Sequence, residues 1–189
     1  MSSSAEELIR HHRYTVTDYY RMVQTGILQT DDRVELIEGS IIDRVPIGSL
    51  HGGVVNHLNK LLNSSVGDNA IVSVQNPVRL SDLSEPEPDI ALLKPRDDFY
   101  ASAHPGPQDI LLMVEVAQSS LDYDREIKLP LYARHGIAVT WLIDLDAKKI
   151  FCYSNIEAER YTSVYEIDTN RPVELPGLKG VSIDLAGLF

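Results

Sequence analysis

The chain has 189 residues, a net charge of −11 and an isoelectric point near 4.9. Its hydrophobic content of 43% is that of a globular domain, and no apolar run reaches the roughly 18 residues of a membrane span. The negative charge argues against a protein that coats nucleic acid, and the single cysteine, Cys152, excludes an internal disulfide framework. The N-terminal segment lacks the apolar core of a signal peptide, so we expect a cytoplasmic protein.

Residues 1–13 are predicted to be a flexible polar lead, followed by a single domain over 14–189. Thr17 is predicted to cap a short helix that ends at Gly26. A second helix is expected to start at Ser49 and end at Gly67, and a third to run from about 122 to 135. Predicted strands cover 33–37, 40–45, 70–75, the run at 89–93, 109–117, 138–144 and the segment that follows the turn at 144–147.

Strands outnumber helices in this order, and helices separate them. The pattern predicts an α/β or α+β fold with a mixed central β-sheet flanked by helices. The run at 109–117 is the most apolar and is expected to be a central strand.

Two of the apolar runs each contain one acidic residue. Asp89 opens the first, and Glu115 interrupts the second. Burying a carboxylate without a partner costs roughly several kcal/mol. Each of the two acids is therefore expected to be paired, metal-bound or protonated. The two acids are therefore the most informative residues in the chain.

Lys128 follows these acids on a predicted helical segment. If the two strands are neighbours, Asp89 and Glu115 could hold one Mg²⁺ or Mn²⁺, which favour oxygen ligands and keep several waters. Lys128 could then orient the attacking water or stabilise charge that develops on a phosphate. The alternative is structural: Asp89 caps a turn, Glu115 pairs with a buried lysine or arginine, and Lys128 is a solvated helix residue.

Several segments together resemble a known family. They are PEPDIALL, VEV, EIKLPLYARHGIAVTWLID, the LPGL…SIDLAGLF tail and the earlier VELIEGSIID. Their order and spacing resemble those of the Uma family of putative restriction endonucleases, within the PD-(D/E)XK nuclease superfamily, over about 14–189. The resemblance implies a restriction-endonuclease-like core, a mixed sheet flanked by helices, with a metal-dependent phosphodiesterase site.

The resemblance also implies roles for particular residues. Pro88-Asp89 matches the first half of the superfamily motif, and Glu115 matches the acid of the second half. Ala117 stands where the lysine usually lies, so Lys128 matches a lysine displaced to the following helix. Pro130 lies within that helix and puts the placement of the lysine in question, because proline disrupts a helix interior.

Four other residues are weighed for the site. Glu35 fits the family signature and is a candidate for an additional acid, whereas Glu38 is better explained as a solvated turn residue. His51 either binds a phosphate or another ligand, or packs or caps at its helix N-terminus. Arg125 could contribute to a basic, substrate-binding face, although such charges are usually solvated.

The leading hypothesis is a Mg²⁺- or Mn²⁺-dependent nuclease, with DNA favoured over RNA as its substrate and a homodimer as a plausible assembly. A second hypothesis is a catalytically inactive binding or regulatory module on the same fold, which the acidic charge favours. A third is a glycosidase that uses the paired carboxylates, which Lys128 beside both acids would disfavour.

Overall fold

The structure is a computed structural model, and it describes residues 11–29 and 31–189. Most of the predicted lead, 1–13, lies outside the described residues. The chain divides into two compact units, which are described separately: the chain up to Arg44 with Leu80–Pro86, and Val45–Arg79 with Glu87–Phe189. A single domain over 14–189 stays a prediction. Of the described helices, none is long and apolar enough to cross a membrane.

The smaller unit begins with helix α1, Val16–Gln24. Its N-cap is Thr15, so the prediction that Thr17 caps this helix is wrong. The hydroxyl of Thr15 accepts a hydrogen bond from the Asp18 backbone N–H, and the Asp18 carboxylate accepts one from the Thr15 backbone N–H. This reciprocal pair satisfies backbone donors that the first helical turn leaves unbonded.

A β-hairpin follows α1 in the smaller unit. Strand β1, Val34–Ile37, pairs antiparallel with strand β2, Ser40–Asp43, which confirms the predicted hairpin. Glu38 and Gly39 connect the strands with φ angles of 50° and 80°. Two successive positive φ angles are typical of the turns that match strand twist in two-residue hairpins.

The larger unit is built on a six-stranded mixed sheet, which confirms the predicted fold class. The strand order is β3-β4-β5-β6-β7-β8, in which β5 and β6 are parallel and the other neighbours are antiparallel. A separate two-stranded sheet pairs β9 with β10. The strands are β3 Ile71–Val74, β4 Ile90–Leu93, β5 Ile110–Ala117, β6 Val139–Asp144, β7 Lys149–Glu157, β8 Arg160–Glu166, β9 Val173–Glu174 and β10 Ser182–Ile183.

Helix α2, Ser49–Val66, packs on β3 and β5. Its apolar residues recur at helical spacing and form the main core with alternate residues of the sheet, including Leu112, Val114 and Val116. The N-cap is Gly48, so Ser49 is the first helical residue and does not cap the helix as predicted. Gly67 follows the last helical residue, as predicted.

The connection between β5 and β6 is a composite helix, Leu121–Arg134, here called the lysine helix. It consists of α3, Leu121–Tyr123, a π-helical turn, Asp124–Lys128, and α4, Leu129–Arg134. Pro130 lies in the first turn of α4, where a missing N–H is tolerated. The regular α-helical part that contains Pro130 therefore begins at Leu129.

The lysine helix covers the sheet face opposite to that of Val114 and Val116. On this face a small apolar cluster consists of Ala117 of β5, Leu142 of β6 and Leu129 of the lysine helix. Successive residues of a strand point to opposite faces, so Glu115 points to the same side as Ala117. Glu115 is thereby directed toward the lysine helix.

Candidate active site

The pairing of β4 with β5 brings the two acids of the apolar runs together. Ile90 pairs with Val114, so the next position along the antiparallel ladder places Asp89 beside Glu115. Both carboxylates are buried, with 6% and 2% of the residue surface exposed. The sequence supplied the two acids, and the strand register brings them to one place.

Asp89 lies just before β4 and accepts three hydrogen bonds. Its Oδ2 accepts from the Val116 backbone N–H at 2.9 Å and from His51 Nε2 at 3.1 Å, and its Oδ1 accepts from Gln75 Nε2 at 3.2 Å. Burial raises the pKa of Asp89, but the hydrogen bond and charge of His51, the Val116 N–H and the charge of Lys128 together lower it below its ordinary value. Asp89 is therefore held as a carboxylate.

His51 lies in the first turn of α2 and contacts the site directly. Its hydrogen bond to Asp89 raises the pKa of the imidazole, and burial only partly offsets this effect. The other ring nitrogen, Nδ1, is buried and makes no hydrogen bond to the described residues. The ring is thus a partner of a buried carboxylate, with one nitrogen still unsatisfied.

Glu115 is held from the lysine helix. Lys128 Nζ lies 3.2 Å from Glu115 Oε1, and the hydroxyl of Tyr132 donates a hydrogen bond to the same oxygen. Lys128 is buried, with 4% exposed, and Tyr132 has no exposed surface. Burial raises the pKa of Glu115 to about 8, although Lys128 and Tyr132 act in the opposite direction.

A third buried carboxylate, Asp124, lies in the π-helical turn. It accepts a hydrogen bond from Ser120 Oγ at 2.7 Å, and its charge raises the pKa values of Glu115 and His51. The charges of Asp89 and Asp124 therefore both act on Glu115, beside Lys128. The π turn is a form of helix that is rare in general and frequent at functional sites.

The donor chemistry of this site fits a hard divalent cation. Asp89, just before β4, and Glu115, in β5, present carboxylate oxygens, and the charge of Asp89 contributes to the raised pKa of Glu115. A cation between them would relieve the repulsion between the two carboxylates. Within the described part of the chain, no group of three Asp, Glu, His or Cys side chains has the arrangement of a complete metal site.

A family model described as "Putative restriction endonuclease", Uma2, matches residues 16–186. The chain belongs to this family. The match spans most of the chain and confirms the resemblance that the sequence segments carry. No curated protein matches the sequence.

Among solved structures, the Uma2 chain is similar to a crystal structure described as a putative nuclease belonging to DUF820, from Anabaena variabilis. The TM-score is 0.63, the sequence identity is 19%, and the match covers 86% of this chain and 89% of that one. At this identity the similarity establishes a shared fold. The predicted fold class, a central mixed β-sheet flanked by helices, is therefore confirmed.

Two of the predicted residues, Lys128 and His51, contact the two acids. Lys128 is a buried partner of Glu115, not a solvated helix residue. His51 neither caps α2 nor simply packs, because its Nε2 bonds to Asp89. Both side chains thus lie with the two acids of the Uma2 chain.

The other predicted site residues are Glu35, Glu38 and Arg125, and a role for them stays a prediction. Glu35 is buried in β1 of the smaller unit, with 2% exposed, and Glu38 occupies the hairpin turn of that unit. The site described above consists of residues of the larger unit alone. Arg125 is exposed on the lysine helix and lines a cavity of 670 Å³ together with Arg134 and Arg160.

Sequence reasoning missed three residues of the site: Tyr132, Gln75 and Asp124. Tyr132 is fully buried, as an ordinary core residue would be, but its hydroxyl donates a hydrogen bond to Glu115. The available signal was its spacing of four residues from Lys128, which places both side chains on one helix face. Gln75 follows the end of β3, and no spacing rule connects it to Asp89.

Proposed function

We propose that this protein is a Mg²⁺- or Mn²⁺-dependent nuclease that hydrolyses phosphodiester bonds of DNA. The observation that supports this most is the meeting of Asp89 and Glu115 on adjacent strands, with Lys128 buried against Glu115. Membership of the Uma2 family supports the reaction class. The catalytic roles of these residues are part of the proposal.

In this mechanism Asp89 and Glu115 hold the cation. Their neighbours keep them in place: His51, Gln75 and the Val116 N–H bond to Asp89, and the lysine helix bonds to Glu115. When bound, a divalent cation polarises the phosphate and lowers the pKa of a coordinated water.

Lys128 supplies a positive charge without leaving the buried site. Its ammonium can orient the attacking water or stabilise the negative charge that develops on the phosphate oxygens. Its contact with Glu115 sets its position before substrate binds. The charge of Lys128 also lowers the pKa of Asp89, so one lysine acts on both acids, which disfavours the glycosidase hypothesis.

The net charge of −11 requires a local surface that attracts DNA. Arg125, Arg134 and Arg160 line one cavity beside the lysine helix and are the candidates for phosphate contacts. Two glutamates share that cavity, so its positive charge is modest. His51 is a further candidate, because a protonated Nδ1 would be a donor without a partner. An additional role of Glu35, a homodimer and a cytoplasmic location stay predictions.

The test combines metal binding with cleavage. Mn²⁺ binding is measured by calorimetry for the wild type, Asp89→Asn and Glu115→Gln, and cleavage of plasmid DNA, single-stranded DNA and RNA is followed with Mg²⁺, Mn²⁺ or chelator. Stoichiometric binding that both variants lose, with DNA cleavage that Lys128→Ala also loses, is the expected result. Glu166→Gln, an exposed surface acid, is the matched control.

Two outcomes contradict the proposal. Cleavage that persists in chelator, or in all three site variants, would remove the assigned mechanism. Absence of both metal binding and cleavage in the wild type would favour the inactive binding or regulatory module. Circular dichroism of each variant separates loss of the site from loss of the fold.

A further inference from the structure

Tyr132 is buried beside Glu115 and has no role in the proposed reaction as described above. It has no exposed surface, and its hydroxyl donates to Glu115 Oε1, the oxygen that Lys128 Nζ also contacts. Burying a hydroxyl costs free energy unless the hydroxyl is hydrogen-bonded. A phenylalanine would therefore fill this position equally well if packing were the only role of the side chain. The hydroxyl and the carboxylate therefore belong to one arrangement.

The helix sequence places Tyr132 and Lys128 together. The two residues are four positions apart, so both side chains project from one face of the lysine helix. The hydroxyl of Tyr132 is carried on a rigid ring with two side-chain torsions, whereas the ammonium of Lys128 is carried on a flexible chain. Of the two contacts to Glu115, that of Tyr132 is accordingly the better fixed.

The two contacts also differ in charge. Lys128 holds Glu115 with a positive charge that the proposed mechanism uses on the phosphate and the water. Tyr132 holds the same oxygen with a neutral donor, which has no comparable attraction for a phosphate. If Lys128 turns toward the substrate, Tyr132 still keeps Glu115 in its orientation.

We propose that Tyr132 is a positioning residue, whose hydroxyl fixes the Glu115 carboxylate for a divalent cation while Lys128 serves the substrate. The inference rests on the proposed function, because it presumes that Glu115 is a metal ligand. Side chains that orient a metal ligand typically change metal affinity by about 10- to 100-fold when they are removed.

The experiment compares Tyr132→Phe with Tyr161→Phe by Mn²⁺ calorimetry on the full chain. Each variant removes one hydroxyl: that of Tyr132 bonds to Glu115, and that of Tyr161 donates to the Ile137 carbonyl. The expected result is a Kd for Mn²⁺ about 10-fold weaker in Tyr132→Phe and unchanged in Tyr161→Phe. Thermal melts of both variants measure the structural cost of losing a hydroxyl.

The outcomes separate this inference from the function on which it rests. If the wild type binds Mn²⁺ through Asp89 and Glu115, but Tyr132→Phe binds it equally well, only the positioning role is overturned. Equal weakening in both variants would also overturn it, because the effect would then be general loosening. If the wild type binds no Mn²⁺, the metal site and the role of Tyr132 fall together.

A second readout covers the case in which Tyr132→Phe is less stable. Binding to the folded state raises Tm, so the increase in Tm with added Mn²⁺ reports affinity even for a weakened variant. A smaller increase for Tyr132→Phe than for Tyr161→Phe supports the positioning role. Equal increases contradict it.

Discussion

Asp89 and Glu115 are neighbours across the β4–β5 ladder, yet their surroundings act on their charges in opposite directions. On the Asp89 side, His51, the Val116 N–H and the charge of Lys128 outweigh burial and lower the pKa of the carboxyl group. On the Glu115 side, burial and two neighbouring carboxylates outweigh Lys128 and Tyr132, and the pKa rises to about 8.

The comparison shows that burial alone does not determine the state of an acid. Both side chains are almost fully buried, and what differs is the number of donors and the nearby negative charge. Paired groups with divergent pKa values are typical of sites in which each acid has its own role. Here the surroundings of Asp89 favour its ionised form, whereas the charge of Glu115 depends on Lys128 or on a bound cation.

The largest expected effect on stability comes from removing the positive charge of Lys128 beside Glu115. Lys128→Met leaves Glu115 buried without its charged partner, and breaking a buried pair in this way costs about 3–5 kcal/mol. Lys128 lowers the pKa of Glu115, so in Lys128→Met this pKa rises above the wild-type value of about 8. Glu115 can then stay protonated at low pH, so we expect a larger loss near pH 9 than near pH 6. Urea unfolding at the two pH values measures the difference.

Equal destabilisation at both pH values would contradict the assignment of the raised pKa to Glu115. The control is Lys149→Met, which breaks the exposed ion pair of Lys149 with Glu166. Exposed pairs contribute about 0–1 kcal/mol, so the control should be almost neutral at either pH.

An intermediate effect is expected from Glu115 in the metal-free protein. The folded chain binds its proton more tightly than the unfolded chain, where the pKa is near 4.5. The associated stability is thus complete below about pH 4.5 and is lost as the pH rises toward 8. Glu115→Gln should remove this fall, because an amide does not titrate.

The measurement is the free energy of unfolding against pH for the wild type and Glu115→Gln, with Glu166→Gln as the surface control. A fall of the same size in Glu115→Gln would show that another group is responsible. Added Mn²⁺ should reduce the fall in the wild type only, because the cation favours the ionised carboxylate.

The smallest effect is expected on the Asp89 side. The pKa of His51 is raised above its ordinary 6.5, so its contribution is present below about pH 6.5 and is lost as the pH rises through the folded value. In His51→Gln the amide can still donate a hydrogen bond to Asp89, but it does not titrate. We therefore expect the free energy of unfolding above pH 6.5 to differ from that of the wild type by only about 1 kcal/mol. NMR titration of the imidazole in the wild type checks the direction, and a pKa below 6.5 would contradict it.

Much of the fold was predictable because it depends on local patterns. The apolar run at 109–117 and the hairpin turn at Glu38-Gly39 lie where the sequence places them. The capping residues were less predictable: Thr15 and Thr17 are chemically identical candidates two positions apart. Only the backbone geometry makes Thr15 the residue whose hydroxyl accepts from the first turn.

The site was predictable in part. An acid inside an apolar run is expected to have a specific partner, because burying an unpaired carboxylate costs free energy. This reasoning indicated Asp89 and Glu115. Tyr132 gives no such signal, because a tyrosine in a helix is an ordinary core residue. The sequence gives no signal for Gln75 either, because its contact with Asp89 depends on the end of β3 lying beside the start of β4.

The sequence by itself determined the chemical content of this protein: two acids in apolar strands, a lysine on the next helix and the Uma2 family pattern around them. The tertiary structure decided which side chains meet. Strand register placed Asp89 beside Glu115, and the packing of the lysine helix on the sheet brings Lys128 and Tyr132 to the same carboxylate oxygen. The reason is physical: composition and periodicity fix which groups are buried, whereas the donors around each buried charge come from segments far apart in the chain and fix its proton affinity.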